Sequence, residues 1–106
     1  MTLQILSYEF LGPIKLSEWG PPMEEVIYLI LRRERDTFGI IYAGESGKTD
    51  DTAYFTKNDS FKCWVSSAGE GNLYLAIYPM WGSEQDTRSR LVRKIISKYR
   101  PNCNKT

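Results

Sequence analysis

The hydrophobic residues of this chain fall into short continuous runs that are typical of buried β-strands. Residues 26–31 and 38–43 form two such runs, and the charged residues 32–37 lie between them. A third run, residues 73–78, follows a turn-forming segment at 69–72. Two β-prone runs around one short polar segment predict a hairpin, so we expect 26–31 and 38–43 to pair antiparallel, with 73–78 beside the first. Because polar residues do not alternate with apolar ones, both faces of the sheet should be covered.

A short helix is predicted between the second and third strands. Asn58 or Asp59 can cap it, and Phe61, Trp64 and Val65 can supply its apolar side. The predicted order of elements is therefore two strands, this helix and the third strand.

The C-terminal segment has the periodicity of an amphipathic helix. Its apolar residues recur at the spacing of one helical stripe, namely Leu91, Val92, Ile95, Ile96 and Tyr99. Ser83 is the expected N-cap, Asp86 suits the positive end of the helix dipole, and Pro101 should end the helix. Val92 belongs to the stripe and should face the core.

The N-terminal quarter is less regular. Apolar residues between 3 and 10 can form an extra strand or a packed arm, and residues 12–22 contain three prolines and two glycines, which favour a loop. We therefore predict an α/β (α+β) fold with a small three-stranded mixed sheet flanked by helices. Residues 1–25 form an N-terminal arm or extra strand with its loop, and residues 26–106 form the domain.

Charge is distributed unevenly along the 106 residues. Residues 1–50 hold five Lys/Arg and eight Asp/Glu, whereas residues 51–106 hold nine and five. Most of the positive excess lies on the outward side of the last predicted helix, at Arg88, Arg90, Arg93, Lys94 and Lys98. This face can meet the phosphates of DNA or RNA, with Tyr78, Trp81 and Tyr99 stacking on exposed bases. The alternative is an ordinary solvated helix face.

The two cysteines and the absence of histidine restrict the chemistry. Cys63 and Cys103 lie far apart in sequence without a CxxC spacing, so a zinc site is not predicted and Cys63 is expected to be a packed thiol. Two free thiols without a signal peptide indicate the cytoplasm. No apolar run is long enough to cross a bilayer, and no membrane partner is expected.

The segment from Gly44 to Thr49 resembles the end of a phosphate-binding loop. The full pattern requires a glycine where this chain has Tyr42, and the acidic residues Asp50 and Asp51 follow where phosphate would bind. We therefore do not expect a nucleotide ligand.

A different pair of segments carries a family resemblance. The tripeptides Val26-Ile27-Tyr28 and Tyr42-Ala43-Gly44 stand on the first two predicted strands, and residues 95–104 contain an apolar pair, a tyrosine, a proline and a final Asn104. This combination resembles the GIY-YIG nuclease superfamily. The resemblance covers residues 26–104 and implies a nuclease-like fold whose catalytic candidates are Tyr28, Tyr42 and Asn104, with one tyrosine acting as the general base toward water.

The chain also departs from the family pattern at three positions. The position that matches the family's metal-binding glutamate is Val92, and residues 52–67 contain neither the family's arginine nor its histidine. Phosphodiester cleavage uses a metal to offset charge on the reacting oxygens and a forked cationic donor on the equatorial oxygens. We assign no metal ligands and expect no cofactor.

Three functions follow as hypotheses. The first is a degenerate GIY-YIG-like domain that lacks standard metal-dependent cleavage and binds a partner, which can be DNA or RNA. The second is a divergent endonuclease that uses Tyr28 and Tyr42 with Mg²⁺ or Mn²⁺. Its carboxylate would be relocated to one of four acidic residues, Glu45, Asp50, Asp51 or Glu84. The third is a protein-interaction module that uses the aromatic residues of segment 8–22.

Overall fold

The computed structural model describes residues 2–19, 24–48 and 53–104. Its strands are β1 (Thr2–Ile5), β2 (Tyr8–Lys15), β3 (Val26–Glu34), β4 (Thr37–Ser46) and β5 (Leu73–Pro79). Its helices are α1 (Phe61–Ala68) and α2 (Gln85–Tyr99), and short 3₁₀ turns cover Leu16–Glu18 and Glu70–Asn72.

The strands form one sheet in the order β1-β2-β5-β3-β4, and every neighbouring pair is antiparallel. The predicted hairpin of β3 and β4 is confirmed, and so is the position of β5 beside β3. The predicted three-stranded mixed sheet is wrong, because the described sheet has five strands and none of its pairs is parallel. The fold is an α+β domain.

The N-terminal hairpin accounts for the two additional strands. β1 pairs with β2 from Ile5↔Tyr8 to Thr2↔Leu11, and β2 then pairs with β5. We predicted a loop from residue 12, but β2 continues through Pro13 to Lys15. The register with β5 shifts between Leu11 and Ile14, and β1 does not extend past Leu11, so the missing N–H of Pro13 interrupts no ladder hydrogen bond. Residues 20–23 of the predicted loop lie outside the described residues.

The two faces of the sheet are covered by different helices. On β3, Ile27 and Leu29 face α2, whereas Tyr28 and Ile30 face α1. Both sets are buried, which explains the continuous apolar run of this central strand. Val92 of α2 is 9% exposed and packs in the cluster with Ile27, as predicted.

The helix starts differ from the predictions. The N-cap of α2 is Glu84 rather than Ser83, and the Glu84 side chain makes no capping hydrogen bond. The Ser83 carbonyl and hydroxyl both accept hydrogen bonds from Arg88 instead. The N-cap of α1 is Ser60 rather than Asn58 or Asp59. Helix α2 ends at Tyr99, two residues before Pro101, as expected.

The cysteine prediction is wrong. Cys63 and Cys103 form a disulfide between α1 and the C-terminal segment, across a sequence separation of 40 residues, so neither is a free thiol. The expectation of a cytoplasmic protein depended on free thiols and loses that support. Neither α1 nor α2 combines the length and the hydrophobicity needed to cross a membrane, over the residues described.

Candidate functional site

Tyr28 and Tyr42 lie on adjacent strands and face the α1 side of the sheet. Their ring centroids are 6.0 Å apart, with an angle of 30° between the ring planes. Regular strand pairing produces this arrangement, because the register is unbroken from Tyr28↔Gly44 to Ile30↔Tyr42 and residues two apart share a face. A bulge follows directly, since Leu31 pairs with Ile40 and leaves Ile41 as the extra residue.

The Tyr28 side chain is buried among other rings. It is 2% exposed and makes edge-to-face contacts with Tyr54 and Phe55 at centroid distances of 6.1 and 5.2 Å. Gly44 opposite it leaves room for the ring, since a Cβ at that position would lie 2.6 Å from Tyr28 Cζ. The Asn58 amide donates a hydrogen bond of 3.4 Å to the Tyr28 hydroxyl.

This environment makes Tyr28 a weak base at neutral pH. Burial raises the pKa of Tyr28 far above its ordinary value, and the neighbouring hydroxyls of Tyr54 and Tyr42 raise it further. Because both burial and like charges disfavour a phenolate, the hydroxyl stays protonated and can only donate or accept a neutral hydrogen bond. A general base needs a pKa near the working pH.

Asn104 does not project into an open site. Its Oδ1 accepts a 2.6 Å hydrogen bond from the Ala43 amide, and its Nδ2 donates a 2.8 Å hydrogen bond to the Ala43 carbonyl. The Cys103 amide donates to the Ile41 carbonyl at 2.9 Å. Together these bonds extend the pairing at the outer edge of β4 and satisfy backbone groups that an edge strand leaves free. The polar atoms of the Asn104 side chain are thus engaged with the backbone.

Arg88 was predicted to lie on the exposed basic face, and this is wrong. It is 5% exposed, and its Nε donates a 2.9 Å hydrogen bond to Glu45 Oε1. Its Nη1 bonds to Ser83 and lies 3.8 Å from Glu25 Oε2. Arg88 therefore joins the start of α2 to the ends of β3 and β4, and Glu45 serves as its counterion.

The remaining acidic candidates are not assembled around the tyrosines. Glu84 is an exposed helix N-cap, and Asp50 and Asp51 lie outside the described residues. Among residues 2–19, 24–48 and 53–104, no three His, Cys, Asp or Glu side chains lie close enough together to hold a metal ion.

The other predicted cations do form an exposed face. Arg90, Arg93, Lys94 and Lys98 all point away from the core on α2. Because Leu91, Val92 and Ile95 of the same helix pack on the sheet face opposite Tyr28, these cations and the tyrosine pair lie on opposite sides of the molecule. The structure does not bring the two predicted sets of residues into one site.

Aromatic side chains lie beside the basic face. A groove of about 180 Å³ is lined by Tyr8, Met80, Arg90 and Lys94, together with Thr87 and Leu91. A second groove of about 300 Å³ shares Tyr8 and Met80 and continues past Tyr78 to Trp81, which is 73% exposed. We call these residues the aromatic-basic surface, which comprises Tyr8, Tyr78, Met80, Trp81, Arg90 and Lys94.

Two residues of this surface were not predicted for it. Tyr8 was assigned to an arm far from α2 in sequence, and it reaches the surface because β2 pairs with β5 and places its ring 5.1 Å from that of Tyr78. Met80 follows β5 directly, and its amide donates a hydrogen bond to the Glu25 carbonyl. Tyr99 lies at the far end of α2, 38% exposed, with the Lys98 ammonium 5.7 Å from its ring centroid.

Comparisons with family models, with curated proteins and with solved structures give no match to this chain. The class defined by the described residues is a small α+β domain with a five-stranded antiparallel sheet and one helix on each face.

Proposed function

We propose that this protein is a degenerate GIY-YIG-like domain that binds single-stranded nucleic acid through the aromatic-basic surface and does not cleave it. The observation that carries the proposal is that Tyr8 lines two neighbouring grooves, one that also contains Arg90 and Lys94 and one that extends to the exposed Trp81. Stacking rings beside a row of cations are the common elements of single-strand binding sites.

The two kinds of side chain supply different parts of the affinity. Stacking of a base on an exposed aromatic ring contributes about 1–3 kcal/mol, independently of sequence. The cations attract phosphates and release counterions, so that binding weakens as salt rises. Trp81 offers the most exposed ring among the large hydrophobic side chains described, and Arg90 adds a planar guanidinium that can stack as well as pair.

Single strands fit this surface better than a duplex does. The grooves beside Tyr8 are shallow and partly apolar, which suits the flat face of an unpaired base. A base within a duplex is stacked on both faces and offers only its edges to a protein. The four exposed cations of α2 can follow a flexible backbone along the helix.

The absence of cleavage is supported by the state of the family-matched residues. Tyr28 is buried with a raised pKa, and both amide atoms of Asn104 bond to the backbone of Ala43. Two features favour the GIY-YIG resemblance itself, namely the pairing of Tyr28 and Gly44 on adjacent strands and the ring contact of Tyr28 with Tyr42. We infer that the tyrosine pair now stabilises the α1 side of the sheet.

Fluorescence anisotropy of labelled 12-mers of thymidylate and uridylate tests the proposal, with a duplex of the same length for comparison. Each neutralised phosphate of a single strand contributes about −0.7 to the slope of log K against log salt, so four cations give at most about −2.8. We expect Trp81→Ala to weaken binding by about fivefold or more, since stacking is lost.

Charge-reversal variants distinguish binding at the aromatic-basic surface from nonspecific electrostatic attraction to the whole protein. The triple variant Arg90→Glu/Arg93→Glu/Lys94→Glu should abolish binding, whereas Lys62→Glu should not, because Lys62 is exposed on α1 across the sheet. An equal loss of affinity in the triple variant and in Lys62→Glu would contradict binding through the aromatic-basic surface.

The cleavage assay is separate. Incubation with Mg²⁺ or Mn²⁺ should leave single-stranded, duplex and branched DNA intact. Cleavage that disappears in Tyr28→Phe would instead establish the divergent nuclease, and the absence of both binding and cleavage would favour the protein-interaction module.

A further inference from the structure

A cavity open to the surface lies on the α1 side of the sheet, away from the aromatic-basic surface. It has a volume of about 400 Å³ and is formed where the 3₁₀ turn after β2 faces the segment that leads into α1. Its apolar lining consists of Leu16 and Trp19 after β2, Phe55 and Phe61 before and in α1, and Leu73 of β5.

The walls of this cavity favour a flat aromatic molecule. The Trp19 and Phe55 rings meet edge to face, with centroids 4.9 Å apart and an interplanar angle of 72°. Phe61 packs against the same cluster of buried residues. Rings held in different orientations around one space offer both a face and an edge to a planar ligand, and aromatic pairs of either geometry are favourable. The volume is within the range of small-molecule sites, roughly 300–1,000 Å³.

The polar groups of the cavity select the charge of its ligand. Among the described residues that line it, Lys15 is the one with a charged side chain, and Ser17 and Thr56 contribute hydroxyl groups. A wall with one ammonium and no carboxylate attracts an anion and repels a cation. Lys15 is exposed at the end of β2, so its ammonium can remain hydrated until the ligand arrives.

We propose that this cavity binds a small planar aromatic anion, with its ring between Trp19 and Phe61 and its acidic group near Lys15. The Thr56 hydroxyl already donates to the Ala53 carbonyl and can still accept one further hydrogen bond. The Ser17 hydroxyl is exposed and can donate to the acidic group. Neither α2 nor its basic face takes part in this site.

The experiment is an amide chemical-shift titration of the isotope-labelled protein with 2-naphthoate, and in parallel with the neutral 2-naphthalenemethanol. We expect naphthoate to bind and to shift residues near 15–19, 55–61 and 71–73, with the alcohol binding more weakly at the same place. Lys15→Glu should weaken naphthoate binding by about tenfold or more, the effect of reversing one charge near an anion. Binding of the alcohol should change less than about twofold, because the aromatic walls are unaltered.

Two further variants make the outcome decisive. Lys48→Glu is the matched charge reversal, because Lys48 follows Ser46, which pairs with Val26, whereas Leu73 of the cavity pairs with Arg32 at the other end of β3. This variant should bind naphthoate as the wild type does. Ser17→Phe places a ring in the cavity from an exposed position and should weaken both ligands. Shifts confined to another part of the surface, no saturation at millimolar naphthoate, or equal effects of Lys15→Glu and Lys48→Glu would each overturn the proposal.

Discussion

Reduction of the Cys63–Cys103 disulfide should destabilise the protein by an amount that its loop length sets. The two cysteines are 40 residues apart. Closing a loop of that length lowers the conformational entropy of the unfolded chain and so raises its free energy by roughly 4 kcal/mol. Small domains have free energies of unfolding of about 5–15 kcal/mol, so this loss is a large fraction of the total. The reduced protein should therefore unfold at a much lower urea concentration.

The disulfide also holds the C-terminal segment against the sheet edge. Cys103 is 4% exposed and its amide donates to Ile41, while Asn104 makes two hydrogen bonds to Ala43. Without the cross-link these bonds alone must retain the segment. Each net hydrogen bond contributes about 1 kcal/mol, so we expect the segment to separate from β4 part of the time before global unfolding.

Urea denaturation followed by circular dichroism measures this effect, with the oxidised protein, the reduced protein and the double variant Cys63→Ser/Cys103→Ser. The reduced protein and the double serine variant should have the same urea midpoint, and a reductant should not change the midpoint of the serine variant. Amide exchange should become faster at Ala43 and at residue 103 in both, because these N–H groups donate the bonds that hold the segment. Free thiols detected in the protein purified without reductant, or a stability loss below about 1 kcal/mol, would refute the reasoning.

Three further predictions concern single residues. Gly44→Ala should destabilise the fold by about 2 kcal/mol in thermal or urea unfolding, because its Cβ would approach Tyr28 Cζ to 2.6 Å, whereas Gly71→Ala, which meets nothing within 4 Å, should have almost no effect. Arg88→Met should lower the free energy of unfolding by about 3 kcal/mol, since it leaves the Glu45 carboxylate, 20% exposed, without its counterion; an unchanged urea midpoint would contradict this. The pKa of Tyr28 is raised on folding, so its contribution to stability is complete below about pH 10 and falls at higher pH, where the unfolded form loses its proton first. Tyr28→Phe should reduce this alkaline loss, measured as urea midpoints at about pH 8 and pH 11, and an identical loss in both proteins would argue against it.

The central part of the fold could be predicted because its signals are local. β3, β4 and β5 contain continuous apolar runs bounded by turn residues, which identify them as strands. Helix α2 carries an apolar stripe whose spacing identifies it as a helix. The β1-β2 hairpin was only partly predicted, since Pro13 within a strand is tolerated only where neighbouring strands leave its nitrogen unpaired. That condition depends on the register with β1 and β5, which a single segment does not reveal.

The candidate site was harder to predict than the strands because it depends on contacts between distant segments. The burial of Arg88 had a signal in the sequence, since it stands four residues before Val92 and seven before Ile95 on the same stripe. Residue type suggested exposure, and the Glu45 counterion on β4 was not evident. The Cys63–Cys103 pairing and the position of Tyr8 beside α2 depend on tertiary packing, for which spacing gives no signal.

The most direct test of the proposed function is an amide chemical-shift titration with an eight-residue thymidylate strand at low salt. We expect the largest shifts at Tyr8, at residues 78–83 and along the exposed side of α2 from 87 to 98, together with a shifted indole N–H of Trp81. Residues of α1 and those around Tyr28 should remain unchanged. Saturable binding whose shifts centre on the Tyr28 and Tyr42 face, or no shifts at millimolar strand concentration, would contradict nucleic-acid binding through the aromatic-basic surface.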